Sequence, residues 1–149
     1  MDVTDKGTIT LETIIKAPIE NVWKAWTDPS LILKWFGSDP NGLVLEAKLD
    51  VRPGGSFNIM FVDSDLSQHT CSGVYNEVQE FNKLTFSWTW ESEPGVESFI
   101  TLFFAPEGHF TRMQFEHAHV GNASKHDYLS GWKTTFIKLE QLLSSGIEK

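Results

Sequence analysis

Between Leu43 and His117 apolar residues recur at every second position in short runs, each broken by a polar or glycine-containing turn. Leu43, Leu45, Ala47, Leu49 and Val51 alternate with Val44, Glu46, Lys48, Asp50 and Arg52. Phe57, Ile59 and Phe61 make the next row. His69, Cys71, Gly73, Tyr75 and Glu77 share one face of the third run, opposite Val74 and Val78, and Leu84, Phe86, Trp88 and Trp90 line up in the fourth. Ser98 to Phe104 carries large residues on both faces. Thr111, Met113, Phe115 and His117 then face away from Arg112, Gln114 and Glu116. Side chains alternate across a strand, so each row is one face of a sheet. The breaks at Pro53-Gly54-Gly55, Asp63 to Ser67, Asn82-Lys83, Pro94-Gly95 and Glu107-Gly108 are short. Short turns between consecutive strands predict an antiparallel meander, and a sheet with one apolar face needs a cover.

The flanking segments supply that cover. Ile9, Leu11, Thr13 and Ile15 alternate as a first strand. Pro18 is placed to open a helix as its first residue, and Ile19, Val22, Trp23 and Trp26 follow at amphipathic spacing. Asp28-Pro29 caps and starts a second, short helix through Leu31, Trp35 and Phe36, stopped at Gly37. Leu129, Trp132, Phe136, Leu139 and Leu143 recur every three or four residues, with Ser124 and Asp127 as a capping box and Gly146 past the end. The expected order is strand, two helices, about six antiparallel strands, and one helix over residues 124 to 145 across the sheet, on the side of Phe86 and Trp88. The class is α+β.

The 149 residues fit one domain, 1–149, with an ordered core over about 8–146. Twenty acidic against twelve basic residues give a net charge of −8. That balance excludes general binding to phosphate backbones and disfavours an anionic membrane surface, since no basic run offers a patch. A single cysteine, Cys71, forms no internal disulfide, and the opening MDVTDKGT has neither part of a secretory signal, so a cytoplasmic location is expected. Aromatic residues reach 13%. That excess suits an aromatic-walled cavity, an interface or a ring-rich core.

Several segments, in order, resemble the family of Hsp90-ATPase-activator homologues (AHSA1-like). These are Lys16-Ala-Pro-Ile-Glu-Asn-Val-Trp-Lys-Ala-Trp-Thr-Asp-Pro29, Leu33-Lys-Trp-Phe-Gly37, Asp50-Val-Arg-Pro-Gly-Gly-Ser-Phe57, Gly73-Val-Tyr-Asn-Glu-Val78, Leu84-Thr-Phe-Ser-Trp88 and Gly131-Trp132. The family belongs to the START/Bet v 1-like (SRPBCC) superfamily. The resemblance covers essentially the whole chain and implies a helix-grip fold: a curved antiparallel sheet of six to seven strands around a long C-terminal helix, with two short helices after strand 1. It also implies an apolar cavity between sheet and helix. The superfamily hosts lipid carriers, hormone receptors, cyclases and hydrolases, so the fold alone does not decide function. The co-chaperone that names the family carries an additional N-terminal domain, and Hsp90 activation is not transferred on the name.

The candidate ligand-binding wall takes Phe57, Phe86, Trp88, Trp90 and Phe115 from the sheet. Trp132 and Phe136 come from the long helix and Trp35 from the short one. Tyr75, Glu77 and His117 are the candidates to orient a ligand, because they sit on inward faces among apolar neighbours. The same rings could equally fill a solid core. Trp132 then plugs it, whereas in a cavity its indole N–H points at a ligand or a water. The leading expectation is non-enzymatic binding of a small apolar molecule in a cavity between the sheet and the C-terminal helix. One alternative is a protein-interaction module related to Hsp90 co-chaperones, which predicts a filled interior and an exposed apolar patch. Another is an acid–base enzyme working through Glu77, Tyr75 or His117. No catalytic set and no cofactor is assigned. Cys71 lies on a strand with nothing near it in sequence to activate it, and no nucleophile elbow, phosphate loop or dinucleotide fingerprint occurs. His117-x-His119 with His126 lacks the partners of a recognised metal site, so no metal is assigned. The expected partner is a small apolar molecule, not a nucleic acid or a membrane, with a chaperone or homodimer contact left open.

Overall fold

A computed structural model describes residues 3–5, 8–37, 39–93, 95, 97–118 and 128–144. The elements are β1 (Val3–Asp5), β2 (Thr8–Ile15), α1 (Ile19–Thr27), α2 (Pro29–Trp35), β3 (Leu43–Leu49), β4 (Ser56–Val62), β5 (Gln68–Gln79), β6 (Lys83–Trp90), β7 (Glu97–Glu107), β8 (Phe110–Ala118) and α3 (Tyr128–Ser144). One curved antiparallel sheet holds all eight strands in the order β1-β2-β8-β7-β6-β5-β4-β3. The meander β3 to β8 is closed by β2, which pairs with β8 from Thr8↔Ala118 to Ile15↔Thr111. The seven longer strands are those the alternation predicts. β1 is an addition, three residues paired to β2, too short to show a period.

The helix boundaries follow local chemistry. Pro18 is the cap of α1, at φ −63° and ψ 155°, rather than its first helical residue, so the helix starts one residue later than predicted. Asp28 ends α1 and caps α2, its Oδ1 accepting the Ser30 N–H at 2.9 Å. Gly37, at φ +109°, turns the chain out of α2. The described part of the long helix begins at Tyr128, and Ser124, Asp127 and Gly146 lie outside the described residues.

All three helices lie on one face of the sheet. Trp132 of α3 packs its ring 4.7 Å from Phe115 and 5.3 Å from Trp88, so α3 covers the predicted side. Trp23 meets Phe104 edge-on at 5.6 Å, and Trp26 meets Trp35 at 4.8 Å and Phe136 at 6.1 Å. Polar ties fix the layers. Thr111 Oγ1 donates to the Ala17 carbonyl at 2.8 Å, and Thr135 Oγ1 to the Gly37 carbonyl at 3.0 Å. The Lys138 ammonium donates to the Asp39 carbonyl at 2.8 Å. Burial pushes the Lys138 pKa down, and the charges of Asp39 and Asp63 oppose that.

Two β-bulges overturn two predicted faces. Register shifts between Val44 and Glu46, so Leu45 is the extra residue in β3. Leu43 and Leu45 are therefore exposed, and the inward row is Val44, Ala47 and Leu49. A second shift falls between Tyr75 and Glu77. Tyr75 stays buried, Glu77 turns outward, and Val78 packs against the core from the face assigned to Glu77. A bulge adds one residue, and one residue reverses every face beyond it.

Candidate functional site

Four predicted wall residues meet at one apolar cavity: Phe57 of β4, Tyr75 of β5, and Phe86 and Trp88 of β6. Leu49, Ile59 and Leu84 extend the sheet side. Trp26 of α1, Ile32 of α2 and Phe36 just beyond α2 form the roof. The rings interlock: Phe57 lies 5.3 Å from Phe86, edge to face, and 5.6 Å from Tyr75. Gly73 makes this possible. A Cβ there would collide with the Ser87 carbonyl oxygen and lie 2.7 Å from the Phe57 ring.

The cavity volume is about 20 Å3. One water needs roughly 10–15 Å3 by this measure, so the rings leave room for little more. The cavity also lies under the α1–α2 hairpin, over β3 to β6, and no residue of α3 lines it. This cavity is therefore a different one from that expected between the sheet and the C-terminal helix.

The remaining candidates fall elsewhere. Trp35, Trp90, Phe115, Trp132 and Phe136 are buried in the core but are not in this wall. Trp35 Nε1 donates to the Ala25 carbonyl at 3.0 Å. His117 is fully buried, with Nδ1 accepting from the Trp132 indole at 3.0 Å and Nε2 2.7 Å from Ser98 Oγ. Burial pushes the His117 pKa down to about 3, so the ring is neutral. Glu77 is exposed and pairs with Lys83 Nζ at 2.8 Å, well outside the cavity. The reading of Glu77 as an inward ligand-orienting group is thus corrected, and the bulge at Asn76 is the reason. Tyr75 remains at the site, and burial, with lesser contributions from Asp50 and Cys71, raises its phenol pKa.

Burial likewise raises the Cys71 thiol pKa, which leaves it a poor nucleophile. Among the described residues no three His, Cys, Asp or Glu side chains are placed to hold a metal ion. His119 and His126 lie outside them. Among the described residues no helix is long and apolar enough to cross a membrane.

Sequence reasoning missed Trp26, Ile32, Phe36, Leu49, Ile59 and Leu84 as wall residues. The i, i+3, i+4, i+7 stripe of α1 already turned Trp26 inward. Nothing in one sequence showed which half of the sheet the hairpin would cover.

Solved structures of similar chains share this architecture. Protein NE0264 from Nitrosomonas europaea superposes with a TM-score of 0.83 at 24% identity, over 99% of this chain and 100% of that one. CalU16 from Micromonospora echinospora gives 0.69 at 28% identity, over 96% and 82%. The AHSA1-like protein from Aeromonas hydrophila gives 0.78 at 21% identity, over 93% and 92%. No curated protein matches the sequence at a significant level. The sequence profile of the activator of Hsp90 ATPase homolog 1-like proteins matches residues 16–144, the span from the end of β2 to the end of α3. The chain therefore belongs to the AHSA1-like family, within the START/Bet v 1-like SRPBCC superfamily.

Proposed function

We propose that the chain binds a small, predominantly apolar molecule beneath the α1–α2 hairpin and does not transform it. The observation that carries this reading is the cavity itself: side chains from six successive elements converge on it, Tyr75 among them, and the surface they present to it is apolar. Pockets built this way, mostly apolar with a few polar groups, suit small-molecule ligands. This reading requires the cavity to widen, because as it stands it has room for about one water. A ligand larger than water enters when Phe36 and Ile32 lift with the hairpin. An acid–base role is disfavoured, because both His117 nitrogens are engaged away from the cavity and Glu77 faces solvent. A cytosolic setting fits the single buried thiol, Cys71.

Titration with the neutral dye N-phenyl-1-naphthylamine tests this, alongside native mass spectrometry of the purified protein. Saturable fluorescence enhancement is expected, weakened in a Leu49→Trp variant that fills the half-buried rim. Non-saturable enhancement, or enhancement indifferent to Leu49→Trp, counts against the cavity.

A second reading rests on a separate observation. Phe99 and Phe103 project from β7 on the face opposite the helices and are 39% and 43% exposed. A nearly filled interior with exposed rings outside it is the pattern of a protein-docking module. A photo-crosslinker at position 99 that captures one defined protein in cells, with no saturable dye binding, would favour that reading.

A further inference from the structure

Deepening the ligand-binding reading above, on which it rests, we infer that Lys138 and Thr135 of α3 form a releasable clasp on the cavity roof. They hold the chain leaving α2 by its backbone carbonyls, and a ligand enters when that hold is broken. Phe36, a roof residue, is held directly: its carbonyl accepts from the Lys138 ammonium at 3.4 Å. The Asp39 carbonyl accepts from the same ammonium at 2.8 Å, and the Gly37 carbonyl accepts from Thr135 Oγ1 at 3.0 Å. Neither donor lines the cavity, so a ligand does not compete with them for contacts. Phe36 carries Ile32 with it, because its N–H donates to the Ile32 carbonyl at 3.2 Å. The pivot lies just beyond. The Asp39 carboxylate accepts the Ser64 N–H at 2.9 Å and Ser64 Oγ at 2.8 Å, an anchor independent of α3. Gly37, at φ +109°, supplies the backbone freedom between the roof and that anchor.

The hold is built to be given up at small cost. The Thr135 hydroxyl has one proton and two carbonyls in reach: Gly37 at 3.0 Å, and Gly131, one turn back in α3, at 2.7 Å. It serves one at a time. When the roof lifts, the proton stays with Gly131, and no buried hydroxyl is orphaned. Lys138 is half-buried, so water replaces the carbonyls that leave its ammonium. The tie at the other end of the hairpin differs. Thr111 Oγ1 donates to the Ala17 carbonyl at 2.8 Å, is fully buried, and has no second acceptor among the described residues. Breaking that bond strands both groups. The hairpin is therefore fixed at the start of α1 and releasable at the end of α2. A charged donor holds a carbonyl more strongly than a neutral one, so Lys138 supplies most of the clasp.

Two variants test this. Lys138→Met keeps the stem and removes the charge, and Thr135→Val keeps the volume and removes the hydroxyl. The probe is N-phenyl-1-naphthylamine, followed by stopped-flow fluorescence, and hydrogen exchange of the free protein is measured beside it. Losing one charge-assisted bond should raise the open fraction about tenfold in Lys138→Met, with the dye's association rate and affinity rising by the same factor. Thr135→Val should act in the same direction by about threefold, since its proton is shared. The Ile32 and Phe36 amides should exchange faster in step, while those of β6 and β7 stay as in the wild type. If the wild type binds the dye saturably and Lys138→Met alters neither rate nor exchange, the clasp falls while the cavity reading stands. Exchange that quickens equally in β6 and β7 shows a general loss of stability and overturns the clasp as well. If Lys138→Met does not fold, Thr135→Val decides on the same readouts. If neither the wild type nor a variant binds the dye saturably, the cavity reading falls and takes the clasp with it.

Discussion

The Trp132 indole donates to His117 Nδ1 across 3.0 Å, and this bond sets the state of a buried polar chain. With Nδ1 accepting, the ring proton of the neutral imidazole sits on Nε2, which donates to Ser98 Oγ at 2.7 Å. The Ser98 hydroxyl in turn donates to the Trp88 carbonyl at 3.4 Å. One helix, α3, is thereby tied through β8 to β7 and β6. The chain works with one tautomer and one charge state.

Stability should therefore fall with acid through His117. Its folded pKa, about 3, lies below the ordinary value of 6.5, so below pH 6.5 the unfolded chain binds the extra proton. The stabilisation is fully present above 6.5 and is lost as pH falls toward 3. Between pH 7 and pH 5 the loss should reach about 2 kcal/mol. Urea denaturation of the wild type and His117→Gln at both pH values checks this, since the variant should lose that part of the slope. Equal slopes would mean that His117 is not the group responsible.

Trp132 gives a separate measure of the same contact. Trp132→Phe keeps a ring against Phe115 but leaves Nδ1 of a fully buried imidazole without its donor, which should cost about 1–3 kcal/mol. Trp132→Ala also empties the ring volume and should cost about 3–5 kcal/mol. The interval between the two, read by equilibrium denaturation, reports packing apart from the hydrogen bond. Since Trp132 is absent from the cavity wall, neither change should strengthen dye binding by way of that cavity.

Periodicity read the sheet well wherever the register was unbroken. The row Leu84, Phe86, Trp88 and Trp90 and the row Thr111, Met113, Phe115 and His117 are buried as the alternation required. It failed at Leu45 and Asn76, where one inserted residue reversed the faces. A bulge is a backbone event, and Asn76 carries no signal that separates it from an ordinary outward polar residue. The candidate site was half legible for a related reason. Alternation says which residues point inward, but the position of the gap depends on how the α1–α2 hairpin and α3 divide one sheet face. That division is set by packing between residues far apart in sequence.

Glu77 offers a direct check of the second bulge. Its partner Lys83 is 2.8 Å away, and the Glu77 side chain is 47% exposed. Such surface pairs contribute about 0–1 kcal/mol. Glu77→Gln should shift the denaturation midpoint little and leave dye affinity unchanged. A large loss of either would mean that Glu77 faces inward after all.

Gly73 should tolerate no side chain. A Cβ there meets the Ser87 carbonyl oxygen and the Phe57 ring, both on fixed neighbouring strands. Overpacking of this kind costs about 1–3 kcal/mol, and more where backbone must move. Gly73→Ala should lie at or beyond the upper end, with Phe57 displaced from the cavity wall. Denaturation together with the ring-current-shifted resonances of Phe57 and Phe86 measures both effects.

Phe86→Ala tests whether the site is a contracted pocket or merely a packing defect. Phe86 is 5% exposed and contacts both Phe57, at 5.3 Å, and Tyr75, at 5.7 Å. Removing its ring should cost about 3–5 kcal/mol, less if the hairpin settles into the space. If the α1–α2 side yields readily, the void closes, the cost falls below that range, and small neutral probes gain little. If the wall is rigid, the void persists and apolar probes of benzene size bind it, as they do in engineered dry cavities of about 150 Å3. The proposed function requires a hairpin that moves, so the smaller stability loss with little gain in benzene binding is the expected result. A full loss with strong benzene binding would show walls too stiff to admit a ligand into the wild-type protein.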